Sequence, residues 1–175
     1  VLGETLIDFP VADNKTHAEG MAYVEKFIAR WKGHELIVPA VAPHAPYTVS
    51  GQHLRAVRAF SDRTGVPIVT HISETKREVD DSLRDKGASP VAYLDRIGFL
   101  NERVIAAHVV WPQDSDIAIL KRHGVGVVHN PQSNMKLAAG VAPVPKMLAE
   151  SLLIGLGTDG AASNNDLNMW EEMDT

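Results

Sequence analysis

The sequence predicts an α/β fold of the (β/α)8 barrel kind, present only in part. Three observations carry that reading. Short apolar runs alternate with segments of helical spacing, the runs are continuous rather than alternating, and their tips carry His or Asp. Alternation through short loops is the pattern of parallel βαβ units. Continuous apolar runs suit strands buried on both faces. Reactive side chains at strand ends fit a barrel, whose sites open on the rim formed by the strands' C-terminal ends.

The elements follow in order. Val1 to Ile7 is the tail of a strand, leading into a loop with Asp8, Pro10 and Asp13. Thr16 to Lys32 places Met21, Val24, Phe27, Ile28 and Trp31 at one helical face, and Gly33 is its stop. Leu36 to Val41 is a strand before the turn-rich APHAPYTVSG. Gln52 to Thr64 is a helix with Leu54, Val57 and Phe60 on one side, ended by Gly65. Val66 to Ile72 is a strand whose early Pro67 suits its first residues.

Thr75 to Lys86 is a charged helix and Pro90 to Ile97 a shorter one. Val104 to Val110 is a strand, Gln113 to Arg122 a helix, and Val125 to Val128, running to His129, a strand. An irregular stretch follows. Then come a helix over Pro143 to Glu150, a strand from Leu152 to Leu156 that reaches Thr158 at its tip, and a helix over Asn168 to Met173. A closed barrel takes eight strands and usually about 250 residues. Five clear strands and a partial sixth within 175 residues make most of a barrel, in one domain. A doubly wound open sheet is the alternative, but no glycine-rich phosphate loop follows any strand.

Bulk properties narrow the function. The formal net charge of −5 gives no general attraction to nucleic acid or anionic membrane. No apolar run approaches the roughly 20 residues of a membrane span, and no signal peptide opens the chain. A cytoplasmic enzyme with a small-molecule partner is expected, with a homo-oligomer left open. The absence of cysteine leaves His, Asp and Glu as the only ligands for a metal. The chain begins at Val1, inside an apolar segment, and stops at Thr175 within a predicted helix, so both ends read as cuts through a larger fold.

The tips of successive runs carry His44, His71 with Glu74, His108, His129 and Asp159. One histidine at a strand end is commonly structural; five consecutive tips bearing His or Asp argue for one site. His71 lies within Ile68-Val69-Thr70-His71-Ile72, where a neutral imidazole suits a borderline cation such as Zn2+. Glu74, three residues on, can face the same pocket without reaching the metal; it reads equally as a helix-start acid. Asp159 is a ligand, a base or a turn Asp before Gly160. His17, His34, His53 and His123 fall on helices or turns on the other side of the pattern and are expected at the surface. Tyr47 and Trp111 follow rim positions and line a pocket or pack.

The segments APHAPYTVS, THISET, AAHVVW, VVHNPQSNMKLAAGVAPVP and GLGTDGAASNNDLNMWEEM closely resemble the amidohydrolase superfamily, essentially from Val1 to Thr175. Within it they look most like the 5′-methylthioadenosine/S-adenosylhomocysteine deaminases. The resemblance implies a hydrolase with one Zn2+ per chain, or Fe2+, on a (β/α)8 barrel. It implies His71 and Asp159 as metal ligands, Glu74 as proton shuttle and His108 as the polarising histidine beside the metal. His44 and Ser163 would contact substrate, and His129 with the Asn130 to Leu137 loop would shape the pocket.

One departure is plain. The family begins its metal site with a His-x-His pair on the first barrel strand, and the sequence contains no such pair. Val1 to Pro10 resembles the third strand, so the chain corresponds to about strands 3 to 8, without the first two strands, the final helix or the small β domain. The expected activity is hydrolytic deamination of the adenine ring of 5′-methylthioadenosine, S-adenosylhomocysteine or adenosine. The alternatives are an amidohydrolase acting on guanine, cytosine or an s-triazine, and an inactive, metal-free fragment.

Overall fold

The computed structural model describes all 175 residues, Val1–Thr175. Six strands form one parallel sheet in chain order: β1 (Leu2–Leu6), β2 (Pro39–Pro43), β3 (Ile68–Ile72), β4 (Val104–His108), β5 (Gly126–His129) and β6 (Ile154–Leu156). The helices are α1 (His17–Trp31), α2 (Gly51–Thr64), α3 (Lys76–Lys86), α4 (Pro90–Arg96), α5 (Asp114–His123), α6 (Pro131–Lys136), α7 (Val144–Ala149) and α8 (Met169–Asp174). A single sheet with every neighbour parallel and sequential is the expected wall of a (β/α) barrel. No helix is long and apolar enough to cross a membrane.

Local signals set the boundaries. Thr16, Ser50, Thr75 and Ser89 cap α1 to α4, each side chain accepting an N–H of the first helical turn. Gly65, Gly87 and Gly124 end α2, α3 and α5 with positive φ. The core gathers Leu54, Val57, Ile68, Ile72, Leu94, Phe99, Val104 and Leu120 between the sheet and its helices, all fully buried.

Four expectations need correction. The strand predicted from Leu36 starts at Pro39, because Leu36 and Val38 are exposed and Pro39 begins the ladder with β1. The last strand is confined to Ile154–Leu156 and is mostly exposed, so burial on both faces fails at this edge. The stretch Asn130 to Leu137, read as irregular, contains α6, started by Pro131 at the first helical position. His17 and His53 do not lie on the other side of the pattern. They sit at the starts of α1 and α2, which follow strand tips, and so share the rim with the strand C-termini. His34 and His123 lie near helix C-termini, on the opposite end as expected.

Candidate active site

The tips of β3, β4 and β6 converge. His71 Nε2 stands 3.7 Å from Asp159 Oδ1, and His108 Nε2 is 3.8 Å from Asp159 Oδ2 and 3.9 Å from Glu74 Oε2. The His71 and His108 rings are 5.3 Å apart, and His44 lies 4.9 Å from His71. These separations exceed hydrogen-bond length, so the groups face a shared space rather than bonding one another.

Each histidine is held by its other nitrogen. His71 Nδ1 lies 2.7 Å from the His44 backbone carbonyl, which can only accept, so Nδ1 carries the proton and Nε2 presents a lone pair. His108 Nδ1 lies 2.8 Å from Asn134 Oδ1, which fixes the same tautomer. His108 is fully buried, and its Nε2 has no partner. A buried, unpaired nitrogen facing a carboxylate and a second free Nε2 is a donor set lacking an acceptor.

Backbone strain puts His108 there. It is in register with Ile72, whereas His71 pairs with Ala107, so regular pleating would send His108 to the opposite face from His71. Its φ of +73°, followed by +45° at Val109, turns it toward His71 instead. Ser73 (φ 53°) and Asp159 (φ 61°) are also left-handed, and such conformations in non-glycine residues cost about 1–3 kcal/mol each. Val109 N donates to Ile72 O, and Val110 and Trp111 N–H groups both donate to Ser73 O, which pins the turn.

Asp159 is oriented by the loop. Its Oδ2 accepts from Ser133 and Ser163 hydroxyls at 2.7 and 2.6 Å, and its Oδ1 from the Gly160 N–H at 2.8 Å. Burial pushes its carboxyl upward, but His71, these hydroxyls and the Gly160 amide outweigh burial and hold it well below the usual range. His71 moves the other way: burial lowers its basicity, and Asp159, the His44 carbonyl and Glu74 raise it further than burial lowers it. Groups that would hold a proton on Nε2 would equally hold a cation. Gly157 permits the approach of β6, since a Cβ there would meet Val128 Cγ1 at 2.6 Å.

Glu74 is held from behind by Glu78, a residue that lies outside the expected site. Glu78 is 8% exposed and accepts the Ser73 and Glu74 N–H groups at 3.0 and 2.8 Å. The Thr75-x-x-Glu78 spacing is a capping-box signal that could have revealed it. Ser133 and Asn134, both buried on α6, lie within the Asn130 to Leu137 segment expected to shape the pocket, but the sequence assigns neither an individual role; Pro131 is the signal of their helix.

The Amidohydrolase family model matches residues 1–175. The chain belongs to the amidohydrolase family. It is 45% identical over 173 residues to a 5-methylthioadenosine/S-adenosylhomocysteine deaminase of Thermodesulfovibrio yellowstonii, covering 99% of this chain and 39% of that protein. It is 49% identical over 150 residues to a 5′-deoxyadenosine deaminase of Methanothrix thermoacetophila, covering 86% and 36%. Among solved structures, a zinc-bound adenosine deaminase from Xanthomonas campestris superposes with a TM-score of 0.92 at 41% identity, over 97% of this chain and 39% of that one. The chain therefore spans about two fifths of the length of these relatives.

In this amidohydrolase chain, the sequence-predicted residues fall as follows. His71, His108 and Asp159 bring ligand atoms within 4.8 Å of one another, and Glu74 borders them. Two imidazole nitrogens and a carboxylate oxygen, with one nitrogen buried and unpartnered, fit a divalent cation. His44 stands beside His71, with Nδ1 2.9 Å from Thr48 Oγ1; burial, then His71, lower its basicity. Ser163 contacts Asp159 directly. His129 has a buried, unpartnered Nδ1, and burial lowers its basicity. Trp111 packs, with Nε1 donating to the Ala139 carbonyl, while Tyr47 is largely exposed.

Proposed function

We propose that this chain carries the proton-transfer half, and part of the metal-binding half, of a hydrolytic deaminase active site. Its substrates are the adenine rings of 5′-methylthioadenosine, S-adenosylhomocysteine or related nucleosides. The observation behind the reading is the convergence of His71, His108 and Asp159 on one space beside Glu74, both imidazoles presenting Nε2. Relatives of about 45% identity bearing deaminase names favour the adenine ring over other rings.

His71 and Asp159 hold the cation in this reading, with Zn2+ the preferred ion and Fe2+ the alternative. Bound there, a divalent cation lowers the pKa of a coordinated water toward about 7. The remaining steps belong to the protein's own side chains. Glu74, in its acid form, protonates ring N1, which makes C6 more electrophilic. Asp159 accepts the proton of the water that adds to C6. His108 Nε2 faces the centre where charge develops and, when the ring carries a second proton as imidazolium, donates a hydrogen bond to it. Asp159 passes its proton to the C6 amino group, which leaves as ammonia, while the C6 hydroxyl proton returns to Glu74 and the ring keeps the oxygen as a carbonyl. Ser163 donates a hydrogen bond to Asp159 and keeps a lone pair for substrate, while His44 contacts the ribose or the purine's outer substituents.

Two variants of the enzyme test this assignment. Glu74→Gln keeps shape and hydrogen bonding but removes the transferable proton, so kcat for methylthioadenosine should fall by about 10²–10⁴-fold with metal content unchanged. His71→Ala should lose metal and activity together. Deamination by Glu74→Gln at the wild-type rate would show that Glu74 only starts α3 and that this mechanism is wrong.

A further inference from the structure

The same rim carries another set of ligand-type side chains. Asp8 follows β1, His17 opens α1 and His53 lies in the first turn of α2. Their ligand atoms all lie within 4.8 Å of one another. His53 Nδ1 is 2.8 Å from Asp8 Oδ1, and His17 Nδ1 is 3.8 Å from the same oxygen. The Ser50 N–H donates to Asp8 Oδ2 at 2.7 Å and so fixes the carboxylate. The two imidazoles lie face to face, with centroids 3.6 Å apart and planes 1° from parallel.

A second observation points to a ligand. Both ring nitrogens of His17 are buried and without a hydrogen-bond partner. A buried polar group left unpaired costs about 1–3 kcal/mol, and native structures keep few of them. Packing alone does not call for this residue. A Phe or Tyr ring would stack on His53 at the same place without stranding two nitrogens.

We propose that Asp8, His17 and His53 form a second divalent-cation site, suited to a borderline transition ion such as Zn2+. Two imidazole nitrogens and one carboxylate oxygen suit Zn2+, Ni2+ or Cu2+; Ca2+ and Mg2+ prefer sets built of oxygen alone. The protonation states agree with this use. Burial, then the neighbouring His53, lower the basicity of His17 against the pull of Asp8. Burial pushes Asp8 upward, but the Ser50 and His53 donors hold it below its ordinary value.

Closing the site takes side-chain rotation. Zn–N bonds of about 2.0–2.1 Å in a tetrahedron put ligand atoms about 3.4 Å apart. A cation lies near the plane of every imidazole that binds it, so two parallel rings cannot both serve one ion. Binding therefore parts the stack, moves the His53 Nδ1 proton through solvent to Nε2, and replaces the His53–Asp8 hydrogen bond with two bonds to the cation. Because Asp8 and His53 are 45 residues apart, the ion ties the β1–α1 connection to the start of α2.

The test is Zn2+ stoichiometry in competition with a chromophoric chelator, with the histidine ring signals followed by NMR. A His71→Ala/Asp159→Asn background disables the first centre. That chain should retain one equivalent of Zn2+, with the His17 and His53 ring signals shifting on addition. Adding His17→Gln and His53→Gln should abolish the retained equivalent. Should the background variant misfold by circular dichroism, His17→Gln/His53→Gln in the otherwise unchanged chain should lower the stoichiometry by one. A folded background variant that retains no zinc overturns the proposal. So does retained zinc that leaves the His17 and His53 signals in place, or a stoichiometry that the double glutamine variant does not change.

Discussion

His71 and Asp159 face the same space but are held there by different means. His71 sits on β3, a central strand that pairs β4 over five residues, from Ile68–Val104 to Ile72–His108. Its ring is aimed by a backbone carbonyl, that of His44 on the neighbouring β2–α2 turn. Asp159 follows β6, a three-residue edge strand whose residues are half-buried or exposed. Side-chain hydroxyls from Ser133 and Ser163 aim it. A residue in mid-sheet inherits its position from the ladder, whereas a residue beyond an edge strand needs loop side chains to supply it. The two supports should therefore fail differently under mutation.

The largest expected effect tests the sheet centre against its edge. Ile68 is completely buried on β3, and Ile154 is only partly buried on β6. Ile68→Ala should cost about 2–5 kcal/mol through lost burial and the cavity left behind. Ile154→Ala should cost under about 1 kcal/mol, because little surface is removed from water there. Urea unfolding of both variants measures the difference. Equal losses would mean that the edge is as tightly packed as the centre, and the comparison would collapse.

Next in size is a pH effect at the turn after β3. Burial, set against the Ser73 and Glu74 amides, pushes the Glu78 carboxyl from 4.5 up to about 7. The folded chain thus keeps a proton that the unfolded chain releases at lower pH. Stability from this group is fully present below pH 4.5 and is lost as pH rises through about 7. The change is about 3 kcal/mol across that window, at 1.36 kcal/mol per pKa unit. Unfolding midpoints at pH 5 and pH 8 should show it, and Glu78→Gln should flatten the slope. A slope that survives in Glu78→Gln would place its origin elsewhere.

The same division separates what the sequence made legible from what it did not. Period-3.6 helices and continuous apolar runs are written over many residues, so the parallel order and the tips bearing His71, His108 and Asp159 were readable. The convergence of His71 and His108 was inferred from shared rim position, but its means, the left-handed φ at His108, leaves no periodic trace. Helix α6 spans six mostly polar residues and offers only Pro131 as a signal, so the Asn130 to Leu137 segment reads as a pocket loop without roles for Ser133 and Asn134. Leu36, Ile37 and Val38 look like strand and precede it, because apolar composition alone cannot say which residues find a partner. His17 and His53 were misplaced for a topological reason. Residues at helix starts share the rim with the preceding strand tips, which spacing along one helix does not reveal.

The smallest expected effect goes to how the carboxylate is held. Ser133 reaches Asp159 Oδ2 from α6 and Ser163 reaches it from the following loop, so either hydroxyl can keep that oxygen oriented when the other is lost. Loss of a partner that orients a metal ligand typically weakens binding by about 10–100-fold. Ser133→Ala should therefore weaken Zn2+ binding by about 10-fold, the low end, since Ser163 remains. Ser133→Ala/Ser163→Ala should exceed the product of the single effects, because Asp159 then keeps only the Gly160 amide on its other oxygen. His71 offers a contrast. His44→Ala breaks the bond to Thr48 but keeps the backbone carbonyl that orients the His71 ring, so it should leave Zn2+ affinity within about 2-fold. Chelator competition on the wild type and on the Ser133→Ala, Ser163→Ala, Ser133→Ala/Ser163→Ala and His44→Ala variants decides the point. A His44→Ala loss as large as that of Ser133→Ala would mean that side chains, and not the ladder, hold both ligands.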